Sequence, residues 1–378
     1  MKAWRFYDFD DMRLDEIPDP TYGPDDVLLK IRVVEPSVTE AILASGADTI
    51  GAPRIRKRME DAPVQLFGHE FCAEVVEVGA NVRSFRPGDR VANRALLPCL
   101  TCALCLEGQI EECRRGPVVG FDMPGCFAEY AAVPHYALVR LRDEVTDYDA
   151  AGLQPAAECV AAIDTADVQR NDTVVVIGQG AMGIHSTQAA RYTLAGQVIA
   201  IDVRPEPLAM AADLGADAVV NAAEVDPIEA VLELTGGRGA DIVVESAGGP
   251  PKEGLAGSAT LDQAREMVRD SGKVVVNSQI PGLTGVDLIR WRQKSLRMIF
   301  PMMADPGHLE TTVRMIASGK LKIDPLVSHV VWGLEQTPLA IEITAQKGRF
   351  GATGPAQIVV DTENVPRHPR IYEPAAAV

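Results

Sequence analysis

The sequence predicts an α/β chain in two parts, a β-rich domain and a doubly wound parallel sheet. Three observations lead there. Residues 173–204 read as strand, glycine-rich turn, helix and second strand. Beyond them helices and short apolar runs alternate as far as about residue 301, the rhythm of a parallel sheet covered on both faces. Before them, short extended runs are punctuated by proline and glycine. With 378 residues, two domains are the expectation. The division read from the pattern is 1–152 with 325–378 for the β-rich domain and 153–324 for the doubly wound one.

Taken in order, MKAWRF, VLLKIRVV, FGHEFCAEVVEVG and the run after RPGDRV are strand-like, and GCFAEYAAVPHYALVRL closes this half. An alanine-rich helix from about 149 leads into the glycine-rich unit. After 204, helices near 206–214, 227–235 and 261–270 precede strands at DAVVN, 241–246 and 273–277, and 296–301 supplies a last strand. The runs LVSHVVWG and PAQIVVD break this rhythm and are assigned back to the first domain. The tail from Glu363, rich in proline and alanine, reads as flexible or as an oligomer contact.

The glycine-rich unit carries the first chemistry. A β-branched run at 174–177 meets Gly178-Gln179-Gly180-Ala181-Met182-Gly183, a G-x-G-x-x-G. The first glycine permits the turn, the second lets backbone approach a pyrophosphate, and the third lets helix pack on strand. The helix that follows turns its first amides toward the phosphates. The second strand ends at Asp202, where a dinucleotide site bonds the adenosine ribose hydroxyls. That carboxylate would repel a 2′-phosphate, so NAD is expected over NADP. Arg204 is placed to stack on adenine or to hold a phosphate. His185, on the helix, reads as structural.

A net charge of −17 disfavours nucleic acid and anionic membranes as partners. The single basic run, 54–58, reads as a solvated loop. There is no signal-like opening and no apolar run of membrane length, so a cytoplasmic protein is expected. Seven cysteines, four of them crowded together, suggest metal more than disulfides. Cys99, Cys102, Cys105 and Cys113 follow C-x2-C-x2-C-x7-C, within a lobe at about 95–115. Four thiolates close a tetrahedral shell around Zn²⁺ with no position open for chemistry, so the expectation is a structural zinc. Cys72, Cys126 and Cys159 read as small core residues.

Gly68-His69-Glu70 followed by VVEVG and PGDRV, the four-cysteine lobe, GCFAEY and GQGAMG together resemble the medium-chain dehydrogenase/reductase family, in its zinc-type alcohol and polyol dehydrogenase branch. The resemblance spans most of residues 1–345. It implies a GroES-like catalytic domain interrupted by a Rossmann domain, hydride transfer to or from a nicotinamide, and a homodimer or homotetramer. It also implies a catalytic zinc held by a cysteine, the histidine of GHE, and a cysteine or glutamate just before the glycine-rich unit. Here Ser37 and Gln154 stand at the first and last of those positions. A protonated hydroxyl and an uncharged amide are much poorer zinc ligands than the anions they replace.

Two site readings therefore stay open: a zinc on His69 with Glu70, or else Glu40, Glu158 or Cys159, recruited, or a zinc-free site in which His69 is either an acid or base or simply a hydrogen-bonded cleft histidine. Thr39 aligns with the family hydroxyl that relays the substrate proton. Glu40 aligns with the acid that orients the histidine. The expected activity is NAD-dependent interconversion of an alcohol and a carbonyl on a small molecule. The alternatives are reduction of an activated C=C bond, a net elimination or isomerisation with tightly held NAD, and a non-catalytic nucleotide-binding protein.

Overall fold

A computed structural model describes residues 1–49, 51–249, 256–280, 284–301 and 303–372. In chain order its strands are β1 (Lys2–Asp8), β2 (Asp11–Glu16), β3 (Asp26–Glu35), β4 (Glu70–Val78), β5 (Arg90–Asn93), β6 (Tyr130–Pro134) and β7 (Leu138–Arg140). There follow β8 (Thr173–Ile177), β9 (Gln197–Asp202), β10 (Ala218–Asn221), β11 (Ala240–Glu245), β12 (Val268–Val276) and β13 (Arg297–Ile299). The last two are β14 (Val330–Trp332) and β15 (Gln357–Val359). The chain divides into two compact units, Met1–Gln154 with Ala304–Val378, and Pro155–Met303. Among the described residues no helix is long and apolar enough to cross a membrane.

The first unit is built on the order β14-β15-β3-β4-β5-β7, with β6 also paired to β3 and a separate β1-β2 hairpin. In β3 the alternate residues Val27, Leu29 and Ile31 are fully buried and meet Phe6, Phe67, Phe71 and Phe127 in one core. Burial of such side chains is worth roughly 1.5–3 kcal/mol each, which is what fixes the register here. Behind the sheet, Arg32 grips Asp147 with two bonds of 2.9 and 3.0 Å and Arg90 reaches the same carboxylate at 3.1 Å. These charge-assisted bonds tie the helix Asp147–Ala151 to β3 and β5.

The second unit is a six-stranded parallel sheet in the order β10-β9-β8-β11-β12-β13. Val174 and Val176 pack on one face of β8, Val175 and Ile177 on the other, and all four are buried. Continuous β-branched runs are the signature of strands covered on both sides. The chain leaves β8 for β9 on one side and reaches β11 on the other side only after β10. The carboxyl ends of β8 and β11 therefore form the switch point where α/β sheets take ligands.

Three sequence expectations need correction. The stretch 304–324 groups with the first unit, not the second. Its helix Pro306–Ala317 lays Leu309 and Val313 into a cavity of about 530 Å³ shared with Val139 and Leu141 of the first unit. Residues 54–58 are not a loop: they lie in the helix Ala52–Met59, with Pro53 in its first turn and Ile55 fully buried, while Arg54 and Arg56 pair with Asp122 and Asp48. Of the two readings of the tail, flexible or an oligomer contact, the first gives way as far as Tyr372, which contacts hidden by the composition hold in place. The Tyr148 hydroxyl donates to Pro366 O at 2.6 Å, buried His368 bonds Asp324 at 2.9 Å, and Tyr372 packs its ring on His329 and Phe350. Residues 373–378 lie outside the described residues.

Candidate active site

In the second unit each glycine of the loop has its own reason. Gly178 has φ +84°, and a Cβ there would stand 2.7 Å from the Ala247 side chain. A Cβ on Gly183 would fall 1.7 Å from Gly178 O, so only glycine lets the helix Ala181–Arg191 start this close to β8. A Cβ on Gly180 would meet nothing within 4 Å. Gly178 and Gly183, the first and third glycines, shape the loop; the second, Gly180, borders open space at a helix N-terminus, the setting an anionic pyrophosphate needs. Ala181 and Met182 are half-buried in the helix's first turn.

Asp202 closes β9. One oxygen accepts from Gln179 N at 2.6 Å, the other from Val203 N and Arg204 N at 2.8 and 2.9 Å. Arg204 stays close, its Nε 3.7 Å from Asp202 Oδ1. Gln179 is buried and knits the loop together, donating to Val176 O and accepting from Thr187 Oγ1, both at 3.0 Å. His185 is buried with no partner for Nδ1, and burial pushes it down to about 4, so it is neutral and structural. The sequence reading overlooked Glu245. This fully buried acid accepts from Ala247 N, Gly248 N and Thr260 Oγ1 at 2.7–2.8 Å and from Ser278 Oγ. It fixes the turn that abuts Gly178. An acidic residue ending an otherwise apolar strand, VVE, was the available signal.

In the first unit the site grows from a helix cap. Ser37 caps the helix Val38–Ala44: its Oγ accepts from Glu40 N at 3.1 Å, and Glu40 Oε2 accepts in return from Ser37 N at 3.1 Å. Glu40 Oε1 accepts from Gly68 N at 2.8 Å, His69 N at 3.2 Å and His69 Nδ1 at 2.5 Å. Phe67 and Gly68, both at positive φ (+65° and +80°), turn the chain so that these amides face the carboxylate. A Cβ on Gly68 would sit 2.8 Å from Phe127 N, so the turn requires glycine.

With Nδ1 held by Glu40, the second ring nitrogen of His69 is Nε2. That atom lies 3.5 Å from Glu70 Oε1, the ring packs edge-on to Phe121, and His69 O accepts from Asn93 Nδ2 at 2.7 Å. Thr39 is half-buried in the first turn of the capped helix, and its hydroxyl is bonded to no described residue. The structure thus gathers Ser37, Glu40, His69 and Glu70 by direct contacts and sets Thr39 between Ser37 and Glu40 on the capped helix.

The cysteine lobe fits a zinc. All four Sγ atoms lie within 4.8 Å of one another, and the Cys99–Cys105 and Cys102–Cys113 separations are 3.9 Å. A tetrahedral shell with zinc–sulfur bonds of about 2.3 Å has edges of about 3.8 Å, whereas a disulfide needs about 2.05 Å. Hydrogen bonds from Thr101 and Cys102 bring the Cys99 thiol down to about 5, and burial with neighbouring thiols pushes Cys105 up to about 12. The other cysteines are core residues: burial raises Cys72, Cys126 and Cys159, and Cys159 donates to Met182 O at 3.1 Å.

A GroES-like unit with a four-thiolate lobe, and a six-stranded parallel unit with a G-x-G-x-x-G loop after its strand β8, define a medium-chain dehydrogenase/reductase. Residues 23–143 match the alcohol dehydrogenase GroES-like domain and residues 181–318 the zinc-binding dehydrogenase domain. The chain is 31% identical to an uncharacterized zinc-type alcohol dehydrogenase-like protein, YdjJ of Escherichia coli K12, over 83% of this chain and 86% of that one. It belongs to the zinc-type alcohol dehydrogenase-like family. The erythritol/L-threitol dehydrogenase of Mycolicibacterium smegmatis is 29% identical over 84% of this chain and 87% of its own. The alcohol dehydrogenase of Thermus sp. ATN1 superposes with a TM-score of 0.81 at 27% identity, covering 95% of this chain and all of that one.

Proposed function

We propose that this dehydrogenase interconverts an alcohol and a carbonyl on a small, hydroxylated molecule with NAD(H). The observation that carries the cofactor is Asp202, one oxygen on Gln179 N, ending β9 beside the open space at Gly180. When bound, the nicotinamide accepts or donates the hydride. The protein's own part is binding and proton handling. Glu40 keeps His69 in one tautomer and orientation, leaving Nε2 to take the hydroxyl proton in oxidation and return it in reduction. Thr39 offers a hydroxyl for the same proton. The polyol dehydrogenase among the relatives supports a hydroxylated substrate.

A fluorescence titration with NADH and NADPH tests the cofactor; tighter binding of NADPH would refute the assignment to Asp202. A panel of polyols, simple alcohols and their carbonyls, followed by NADH absorbance, tests the reaction. NADH binding with no turnover on any member would leave a nucleotide-binding protein. The replaced ligands Ser37 and Gln154 favour a second reading, reduction of an activated C=C bond or a redox-neutral elimination or isomerisation. It predicts NADH oxidation by an enone, or turnover with no net NADH. Self-association as a dimer or tetramer is part of the proposal. It is supported by Leu288, Ile289 and Phe300, 70–75% exposed near the sheet-edge strand β13, and tested by light scattering.

A further inference from the structure

We infer that the His69 site works without a metal ion, so that the chain binds one zinc, in the cysteine lobe, and none at the position where its family relatives do their chemistry. This rests on the oxidoreductase reading for its chemical meaning but on the donor set for its argument. Catalytic zinc sites take three protein donors, drawn from thiolate, imidazole and carboxylate, and keep a fourth position open.

At the first position stands Ser37. It offers no anion, and its oxygen already accepts the Glu40 amide in the helix cap. At the last stands Gln154, an uncharged amide. Glu40 cannot be recruited instead. Its two oxygens are committed to Ser37 N, Gly68 N, His69 N and His69 Nδ1, and releasing them would uncap the helix and free the histidine together. Among the described residues of the first unit at or beside those positions, His69 Nε2 and Glu70 Oε1 remain, 3.5 Å apart, while Cys159 is buried with its thiol donating to Met182 O at 3.1 Å. Among the described residues, the four cysteines are the one group of three or more His, Cys, Asp or Glu whose ligand atoms lie within 4.8 Å of one another.

The reaction balances without a Lewis acid. In oxidation the O–H bond breaks with its proton passing to His69 Nε2, and a bound nicotinamide would supply the two-electron acceptor for the hydride of the C–H bond, leaving a carbonyl. The imidazolium that results has its charge faced by the buried Glu40 carboxylate. Deprotonating an alcohol is thus assigned to an imidazole–carboxylate pair.

Zinc per chain, by elemental analysis of protein purified without chelator from zinc-supplemented medium, is the direct test. About one atom per chain is expected, against about two for a complete pair of sites. Two atoms per chain in the wild type would overturn the inference, whatever the turnover. The double variant Ser37→Cys/Gln154→Glu restores the missing anions and should gain about one zinc. Should that variant fail to fold, the wild-type stoichiometry still decides. One zinc with no turnover on any substrate would sink the oxidoreductase reading and leave this inference standing.

Discussion

Removing the Glu40 carboxylate should both destabilise the first unit and disable His69. The side chain is 1% exposed and is the acceptor for three backbone amides and an imidazole nitrogen. In Glu40→Ala those donors lose their partner. A buried donor left unsatisfied costs about 1–3 kcal/mol and a lost cap about 1 kcal/mol. Local relaxation and water entry will recover part of that, which places the net loss at about 3–5 kcal/mol. For a unit of this size the corresponding fall in Tm is about 6–20 °C. Glu40→Gln keeps one oxygen for Gly68 and His69 but turns an NH₂ group toward Ser37 N. It should cost about 1–2 kcal/mol, one cap bond's worth. Because it also removes the charge facing the imidazolium, kcat should fall by about 10²-fold or more. Thermal unfolding by circular dichroism, with kcat and KM measured well below the transition, separates the two effects. Glu40→Ala melting within a degree or two of wild type would refute the claim that this carboxylate organises the site.

Three further outcomes follow from the geometry. Gly183→Ala drives a methyl into Gly178 O and should lower stability by about 1–3 kcal/mol. Gly180→Ala meets nothing and should leave the melting curve unchanged while weakening NADH binding; a fluorescence titration with parallel melts distinguishes them. In metal-stripped protein, Cys99 should alkylate with a rate that rises through pH about 5, while Cys105, near 12, stays unreactive at neutral pH. Mass spectrometry of iodoacetamide-treated protein reports the order, and equal labelling would contradict it. Glu35 is fully enclosed beside Gln357 Nε2 at 2.7 Å, and burial pushes it up to about 7. Raised in the folded state, it favours folding below the unfolded value near 4.5, and that contribution is lost as pH climbs to about 7. Glu35→Gln should therefore be more stable than wild type at pH 8, by up to about 3 kcal/mol, and no more stable near pH 4; a pH series of melts that never separates the two would refute this.

What could be read in the sequence was what is local. The glycine loop is legible because strand, turn and helix follow one another within about twenty residues, and Gly183 answers a contact with Gly178 inside that same turn. The cysteine lobe is legible because all four ligands sit within one loop. The helix Ala52–Met59 was hidden because its basic residues look solvated while only Ala52 and Ile55 are buried to anchor it. Glu40 was recognised by its place in the resemblance, but its four bonds depend on a turn at Phe67 and Gly68 that has no pattern of its own. The grouping of 304–324 with the first unit was illegible for a related reason: a helix after a final strand reads as another step of the α/β rhythm until its packing partners are known. The ordered tail likewise depends on contacts between segments far apart in sequence.

The placement of β15 between β14 and β3 has a consequence for how the chain is made. Strand β3 gains its last neighbour, β15, only after the whole parallel sheet has been synthesised, and bonds such as Gln357 to Glu35 and Trp4 to Leu334 span 322 and 330 residues. The second unit is one uninterrupted segment and is free to fold as it leaves the ribosome. The first must hold an unfinished sheet, with the Val33–Val34 end of β3 unpaired on one side, until the closing strands emerge. A nascent chain arrested short of residue 357 would carry a mature nucleotide cradle beside an exposed strand, the form on which chaperones would act.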